Sequence, residues 1–167
     1  MRLSKKSEYG LRAMIELTQN FNRGVVQRRD LAERQGIPLG FLEMILLQLK
    51  HSGLVGSRRG THGGVFLIKS PKEITLGKII RILDGPLAPI GCVSQTAYQK
   101  CEGCPYAKTD TCPIQGAMLN VRNAISAVLD DFTLEDFVKA KSLGEGGEIK
   151  PILHSGPKNF EVSAGKI

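Results

Sequence analysis

Apolar residues recur at helical spacing through the first third of the chain, interrupted by glycine and proline at short intervals. Leu11, Met14, Ile15 and Leu17 line one side of a segment that Ser4 caps and that runs to about Asn20. After the break at Gly24, a short helix is predicted over about Arg28–Gln35, with Leu31 and Ala32 facing inward and Gly36 ending it. Gly36-Ile37-Pro38 reads as a tight turn, because glycine tolerates left-handed geometry and proline favours a new helix start. The next helix, about Leu39–His51, gathers Phe41, Leu42, Ile45, Leu46 and Leu49 on one face.

The period then changes. Leu54-Val55 and Val65-Phe66-Leu67-Ile68 are β-prone runs on either side of a glycine-rich basic loop, Ser57 to Gly64, and predict a hairpin. Helix, helix, turn, helix, hairpin is the order of a winged helix-turn-helix, whose third helix is free to enter a major groove. A further amphipathic helix follows from Thr75 to Asp84, built on Leu76, Ile79, Ile80 and Leu83 and closed by Gly85-Pro86. After Pro113, the residues Ile114, Met118, Val121, Ile125, Val128 and Phe132 alternate in steps of four and three. That narrow stripe suits a helix packed on a partner helix. Thr133 restarts a short helix ending near Ser142, and the remainder is rich in Gly, Pro, Lys and Glu with little periodicity.

The expected fold class is therefore mainly α with a small β wing: a winged helix-turn-helix plus a long dimerisation helix. The expected division is a DNA-binding head over 1–73, dimerisation helices over 74–142 with a cysteine loop at about 86–113, and a flexible tail over 143–167.

Charge sharpens this picture. The net charge is +7, and residues 1–73 hold 13 Lys/Arg against 6 Asp/Glu, while the remainder is balanced at 10 of each. All of the excess positive charge thus sits on the head, the footprint of a surface that meets a polyanion. Aromatic residues are only 5% and tryptophan is absent, which disfavours a stacking platform for single strands and leaves double-stranded DNA as the expected partner. No apolar run approaches the roughly 20 residues of a membrane span. The basic start, Met1 to Lys6, leads into no apolar core of a secretion signal, so no membrane partner and a cytoplasmic location are expected.

On the third helix the outward side presents Gly40, Glu43, Met44, Leu47, Gln48 and Lys50. Pro38 and Gly40 allow close approach of the backbone to phosphate. Glu43, which phosphate repels, suits a hydrogen bond from a cytosine amino group, and Gln48 suits adenine or the backbone. Lys5, Lys6, Arg28 and Arg29 are placed for phosphates. On the wing, Arg58 and Arg59 suit a narrow minor groove, with Thr61 and His62 beside them.

Four cysteines, Cys92, Cys101, Cys104 and Cys112, fall within 21 residues. With nothing directing secretion, metal binding is preferred over disulfides. A structural zinc site usually pairs two CxxC knuckles or adds histidines. Here Cys101-Glu102-Gly103-Cys104 is the single CxxC, and no histidine lies between His62 and His154. The irregular spacing suits an iron–sulfur cluster better, with zinc as the alternative. A thiol redox enzyme using Cys101 and Cys104 is disfavoured, because no strand of a βαβ unit precedes the pair. No Ser/His/Asp grouping or phosphate loop points to another enzyme.

Several phrases together carry a resemblance. Met1-Arg2-Leu3-Ser4, Leu39-Gly40-Phe41-Leu42-Glu43, Gly53-Leu54-Val55, the wing Arg59-Gly60-Thr61-His62-Gly63-Gly64, and the cysteine loop before a long helix resemble the Rrf2 family of regulators over about residues 1–140. The resemblance implies a homodimer with winged-helix heads and crossed long helices. The family includes iron–sulfur regulators of cluster assembly, sensors of nitric oxide or iron, and cluster-free regulators of cysteine metabolism. In cluster-binding members three cysteines hold the metal; Cys92, Cys104 and Cys112 match those positions best, because Cys104-Pro105 and Cys112-Pro113 resemble the family's Cys-Pro phrases. Cys101 is an extra thiol and a further candidate ligand. Glu8 stands where some members supply a fourth ligand from the other subunit. The expected cofactor is a [2Fe-2S] cluster ahead of [4Fe-4S]. The alternative is a cluster-free or zinc-bound regulator that answers to a small molecule.

Overall fold

A computed structural model describes residues 2–106 and 112–142, with side chains described to 139. The first helix, α1 (Lys5–Gln19), begins where the Ser4 hydroxyl accepts a hydrogen bond from the Ser7 backbone N–H at 3.1 Å, satisfying one of the amides a helix start leaves open. α2 (Arg28–Gln35) ends at Gly36, whose φ of 60° is the left-handed cap that glycine adopts without steric cost. α3 (Leu39–His51) buries Leu42, Ile45, Leu46 and Leu49 and turns its other side to solvent. All three helices span the residues that periodicity predicts, because each is bounded by a residue that mechanically starts or stops a helix.

The hairpin is offset from its prediction. β1 (Val55–Arg58) and β2 (Gly64–Leu67) pair antiparallel with Val55 opposite Leu67 and Arg58 opposite Gly64. Leu54, buried, and Ile68, exposed, flank the named strands, and the Ile68 N–H still donates to Leu54 O at 3.0 Å. β-propensity marks where apolar strand-formers cluster, whereas pairing follows the loop geometry, which carries β1 out into the polar Ser57-Arg58. A third segment joins the sheet by one bridge: Val26 N–H donates to Val65 O at 2.9 Å, and Val65 N–H donates to Val26 O at 2.8 Å. The wing is thereby anchored to the residues that lead into α2.

Ser70 and Glu73 form a reciprocal cap around a short turn, Pro71–Glu73, which delivers the chain to α4 (Leu76–Leu83). A second short turn, Gly91–Val93, carries Cys92. α5 (Pro113–Asp131) follows Cys112, and α6 (Leu134–Ser142) follows Thr133, which shares a cap with Asp136: Thr133 N–H and hydroxyl both donate to the Asp136 carboxylate, at 2.9 and 2.6 Å.

The core runs through the predicted head without stopping at its predicted end. Met14, Leu17, Leu31, Leu42, Ile45 and Leu49 are joined by Ile74, Ile79, Leu83 and Leu134 in one buried cluster. Backbone bonds from Leu134 N–H to Ile74 O (2.9 Å) and from Leu76 N–H to Phe132 O (2.8 Å) stitch the end of α5 to the start of α4. α5 itself buries no residue. Its apolar stripe divides in two: Met118, Ile125 and Phe132 are half-buried, while Ile114, Val121 and Val128 are exposed at 62%, 41% and 45%. The residues of the tail expected to be flexible lie outside those described.

Candidate DNA interface and thiol centre

A cleft of about 370 Å³ opens between the start of α2, the start of α3 and the wing. Arg28, Arg29, Glu43, Arg58, Arg59 and Thr61 line it, so six of the residues singled out from the sequence share one concave surface. The fold explains why. The Val26–Val65 bridge pins the α2 start against the wing, and Lys50 Nζ donates to Ser57 Oγ at 2.8 Å, tying the end of α3 to β1. Four guanidinium groups on one surface repel one another unless an anion is present, which is the electrostatic condition of a polyanion-binding groove.

Arg28 and Glu43 form an ion pair at 3.7 Å, with both side chains about half exposed. In the sequence Glu43 stands as an isolated carboxylate on α3; the structure places the Arg28 guanidinium at ion-pair distance from it. Gln27 and Leu39, which sequence reasoning passed over, also line the cleft. Pro38, Gly40, Gln48 and His62 do not line it. Pro38 caps α3, Gly40 has nothing within 4 Å of the place a Cβ would occupy, and Gln48 and His62 are exposed. Lys5 lies on the first turn of α1, where its ammonium meets Glu8 at 2.7 Å. Their shared hydrogen bond, then their mutual charge, lifts the Lys5 ammonium above its ordinary pKa. The same hydrogen bond from Lys5 holds the Glu8 carboxyl below the usual carboxylate range.

All four cysteines are free thiols. Cys92 sits in the turn Gly91–Val93, where Gln115 Nε2 of α5 donates to its carbonyl at 3.2 Å, and Cys112 is the N-cap of α5. The Cys101 thiol is hydrogen-bonded to Cys92. That bond first, then burial, then the negative charges that Cys92 and Cys112 carry when ionised, push it above its ordinary pKa. Cys101 therefore lies within electrostatic reach of both Cys92 and Cys112. Among the described residues no three His, Cys, Asp or Glu side chains converge tightly enough to hold a single metal ion. One tetrahedral zinc needs its sulfurs about 2.3 Å from a common point.

Residues 3–140 match the model of the Rrf2 family, described as iron-dependent transcriptional regulators. The chain belongs to the Rrf2 family. It is 36% identical over 141 residues to an rrf2-like HTH-type transcriptional regulator of Rhodobacter capsulatus, an alignment that covers 83% of this chain and 93% of the relative. Its fold is similar to the solved structure of CymR, the global cysteine regulator of B. subtilis, with a TM-score of 0.67 and 32% identity over 87% of this chain and 99% of that one. It is equally similar to T. potens IscR, with a TM-score of 0.67 and 31% identity over 89% and 94% of the two chains. As an Rrf2 protein the chain is a DNA-binding transcription regulator of the winged-helix type, and not an enzyme. Among its described residues no helix is long and apolar enough to cross a membrane.

Proposed function

We propose that this Rrf2 protein binds double-stranded operator DNA as a homodimer and that a cysteine-held iron–sulfur cluster, [2Fe-2S] in preference to [4Fe-4S], adjusts its affinity. The observation that carries the DNA reading is the cleft in which Arg28, Arg29, Arg58 and Arg59 converge beside the exposed side of α3. In this reading α3 enters a major groove, the wing arginines take the adjacent minor groove, and Lys5 and the α2 arginines hold phosphates. Gln48, Thr61 and His62 extend the contact along the helix and the wing.

For the thiol centre, the interaction of Cys101 with Cys92 and Cys112 supports Cys101 as their companion ligand in place of Cys104. The family resemblance, through the phrase Cys104-Pro105, points instead to Cys104. Glu8 of the partner subunit is the proposed fourth ligand, on the family resemblance; in the protomer its carboxylate is half-exposed and paired with Lys5. When bound, the cluster supplies a redox- and iron-sensitive crosslink among the thiolates. The chain's own residues transmit its presence: Cys92 is fastened to α5 through Gln115, and Cys112 caps that helix, so the thiol positions bear on how α5 is set. The dimer heads must lie one or more DNA turns apart, about 34–36 Å per turn, so a change in α5 alters operator affinity. A coupling of about 1–3 kcal/mol is typical of such devices.

Anaerobic purification with iron and sulfide analysis, followed by DNA binding of the holo and apo forms, tests the proposal. Iron and sulfide, with visible absorption lost in Cys92→Ala, Cys101→Ala and Cys112→Ala but retained in Cys104→Ala, is the expected result. Zinc without sulfide would favour the alternative regulator. Loss of the cluster in Cys104→Ala would restore Cys104 to the ligand set.

A further inference from the structure

Three large apolar side chains on α3 stand outside the core: Leu39 lines the arginine cleft, and Met44 and Leu47 lie further along the helix. Met44 is 57% exposed and Leu47 is 53% exposed, while Leu42, Ile45, Leu46 and Leu49 hold the buried side of the same helix. Single exposed apolar residues are ordinary. Met44 and Leu47 lie one turn apart on a face otherwise given to Glu43, Gln48 and Lys50, with the four arginines of the cleft alongside. Phosphates gain nothing from a thioether or an isobutyl group. The surrounding positive charge marks a nucleic acid duplex, and not an apolar protein partner, as what covers them.

The neighbouring geometry narrows the contact. Gly40, one helical turn before Met44, would meet nothing within 4 Å if it carried a Cβ. Gly40 therefore leaves bare backbone at one position of the first turn of α3, where the helix can approach the floor of a groove. Of the groups that bases present in the major groove, the C5 methyl of thymine is the apolar one. Methionine, unbranched and polarizable, adapts its chain to such a contact. Glu43, paired with Arg28, stands beside it as an acceptor.

We infer that Met44, supported by Leu47, is a specificity-determining residue that recognises thymine by packing on its C5 methyl group in the major groove. The inference rests on the reading of α3 as the helix that enters DNA. Covering one methyl group is worth about fourfold in affinity.

The test uses the full chain with its metal centre intact. Duplexes are selected from a random double-stranded library, and each thymine of the selected site is then exchanged singly for deoxyuridine, which pairs identically and lacks only the methyl group. At one thymine in each half-site the exchange is expected to weaken binding about fourfold. Met44→Ala, an exposed substitution whose fold is checked by circular dichroism, is expected to bind both duplexes equally well. Leu47→Ala is expected to lose part of the discrimination. Equal methyl sensitivity in the wild type and both variants overturns the inference, as does a selected duplex with no methyl-sensitive position. If Met44→Ala changes the sedimentation of the free protein, Met44 serves a protein contact and the inference is likewise wrong. Failure to enrich any duplex defeats the DNA reading itself, a result distinct from all of these.

Discussion

At the scale of single residues, the wing depends on positions where a side chain has no room. A Cβ on Gly64 would run into the carbonyl oxygen of Val26 and lie 2.8 Å from its carbonyl carbon. Those are backbone atoms and cannot swing aside. Gly64→Ala is expected to force the Val26 bridge apart and lower stability by about 1–3 kcal/mol, as overpacking does, with the loss read by urea unfolding. Operator affinity should fall with it, since the same bridge positions Arg28 and Arg29. Unchanged unfolding and binding would show that the bridge contributes little. The glycines of the wing are visible in the sequence as a turn signal, but the sequence does not distinguish those that serve the turn from the one that lets another segment approach.

Between elements, the N-terminus of α1 is held to the end of α4 by a carboxylate. Asp84 accepts from the Ser4 backbone N–H at 3.0 Å and from the Ser4 hydroxyl. Burial alone pushes the Asp84 carboxyl up, but these bonds and the nearby Lys6 charge outweigh it and hold the group below its ordinary value of 3.8. A carboxylate whose folded pKa is depressed contributes stability that is complete above the unfolded value and lost as pH falls through the folded one. The contact should therefore hold above about pH 5 and fade below about pH 4. Asp84→Asn is expected to cost at most about 1 kcal/mol at neutral pH, because the site is exposed and screened. It should also flatten the acid limb of a stability–pH curve measured by thermal unfolding. An acid limb unchanged in the variant would remove Asp84 from this role. Nothing in the sequence pairs Ser4 with Asp84, which stand 80 residues apart; Ser4 is legible only as a helix cap.

In the molecule as a whole, the exposed residues of α5 bear on assembly. Ile114, Val121 and Val128 stand seven residues apart and remain uncovered, whereas Met118, Ile125 and Phe132 lean toward the chain's own body. An exposed apolar row at that repeat suits pairing with a second α5. Val121→Glu combined with Val128→Glu is expected to leave the folded protomer intact and convert the proposed dimer to monomer in sedimentation. Operator affinity should then fall by about a hundredfold or more as the two heads lose their linkage. A double variant that stays dimeric would place the interface elsewhere.

The order of helices, their ends, the hairpin, the basic head and the cysteine cluster were all legible along the chain, because caps, periodicity, charge and residue type act locally. The limits of α2 and α3 are the clearest cases: Gly36, Pro38 and Ser52-Gly53 punctuate them chemically. Three-dimensional packing alone decided the partners. It joined Leu134 to the core of the head, gave Glu43 its arginine, divided the α5 stripe into an inner and an outer half, and brought Cys101 to Cys92. Each of these is a contact between residues distant in sequence or a choice between equivalent side chains, and such contacts are selected by the closure of loops and the filling of space, which no local pattern encodes.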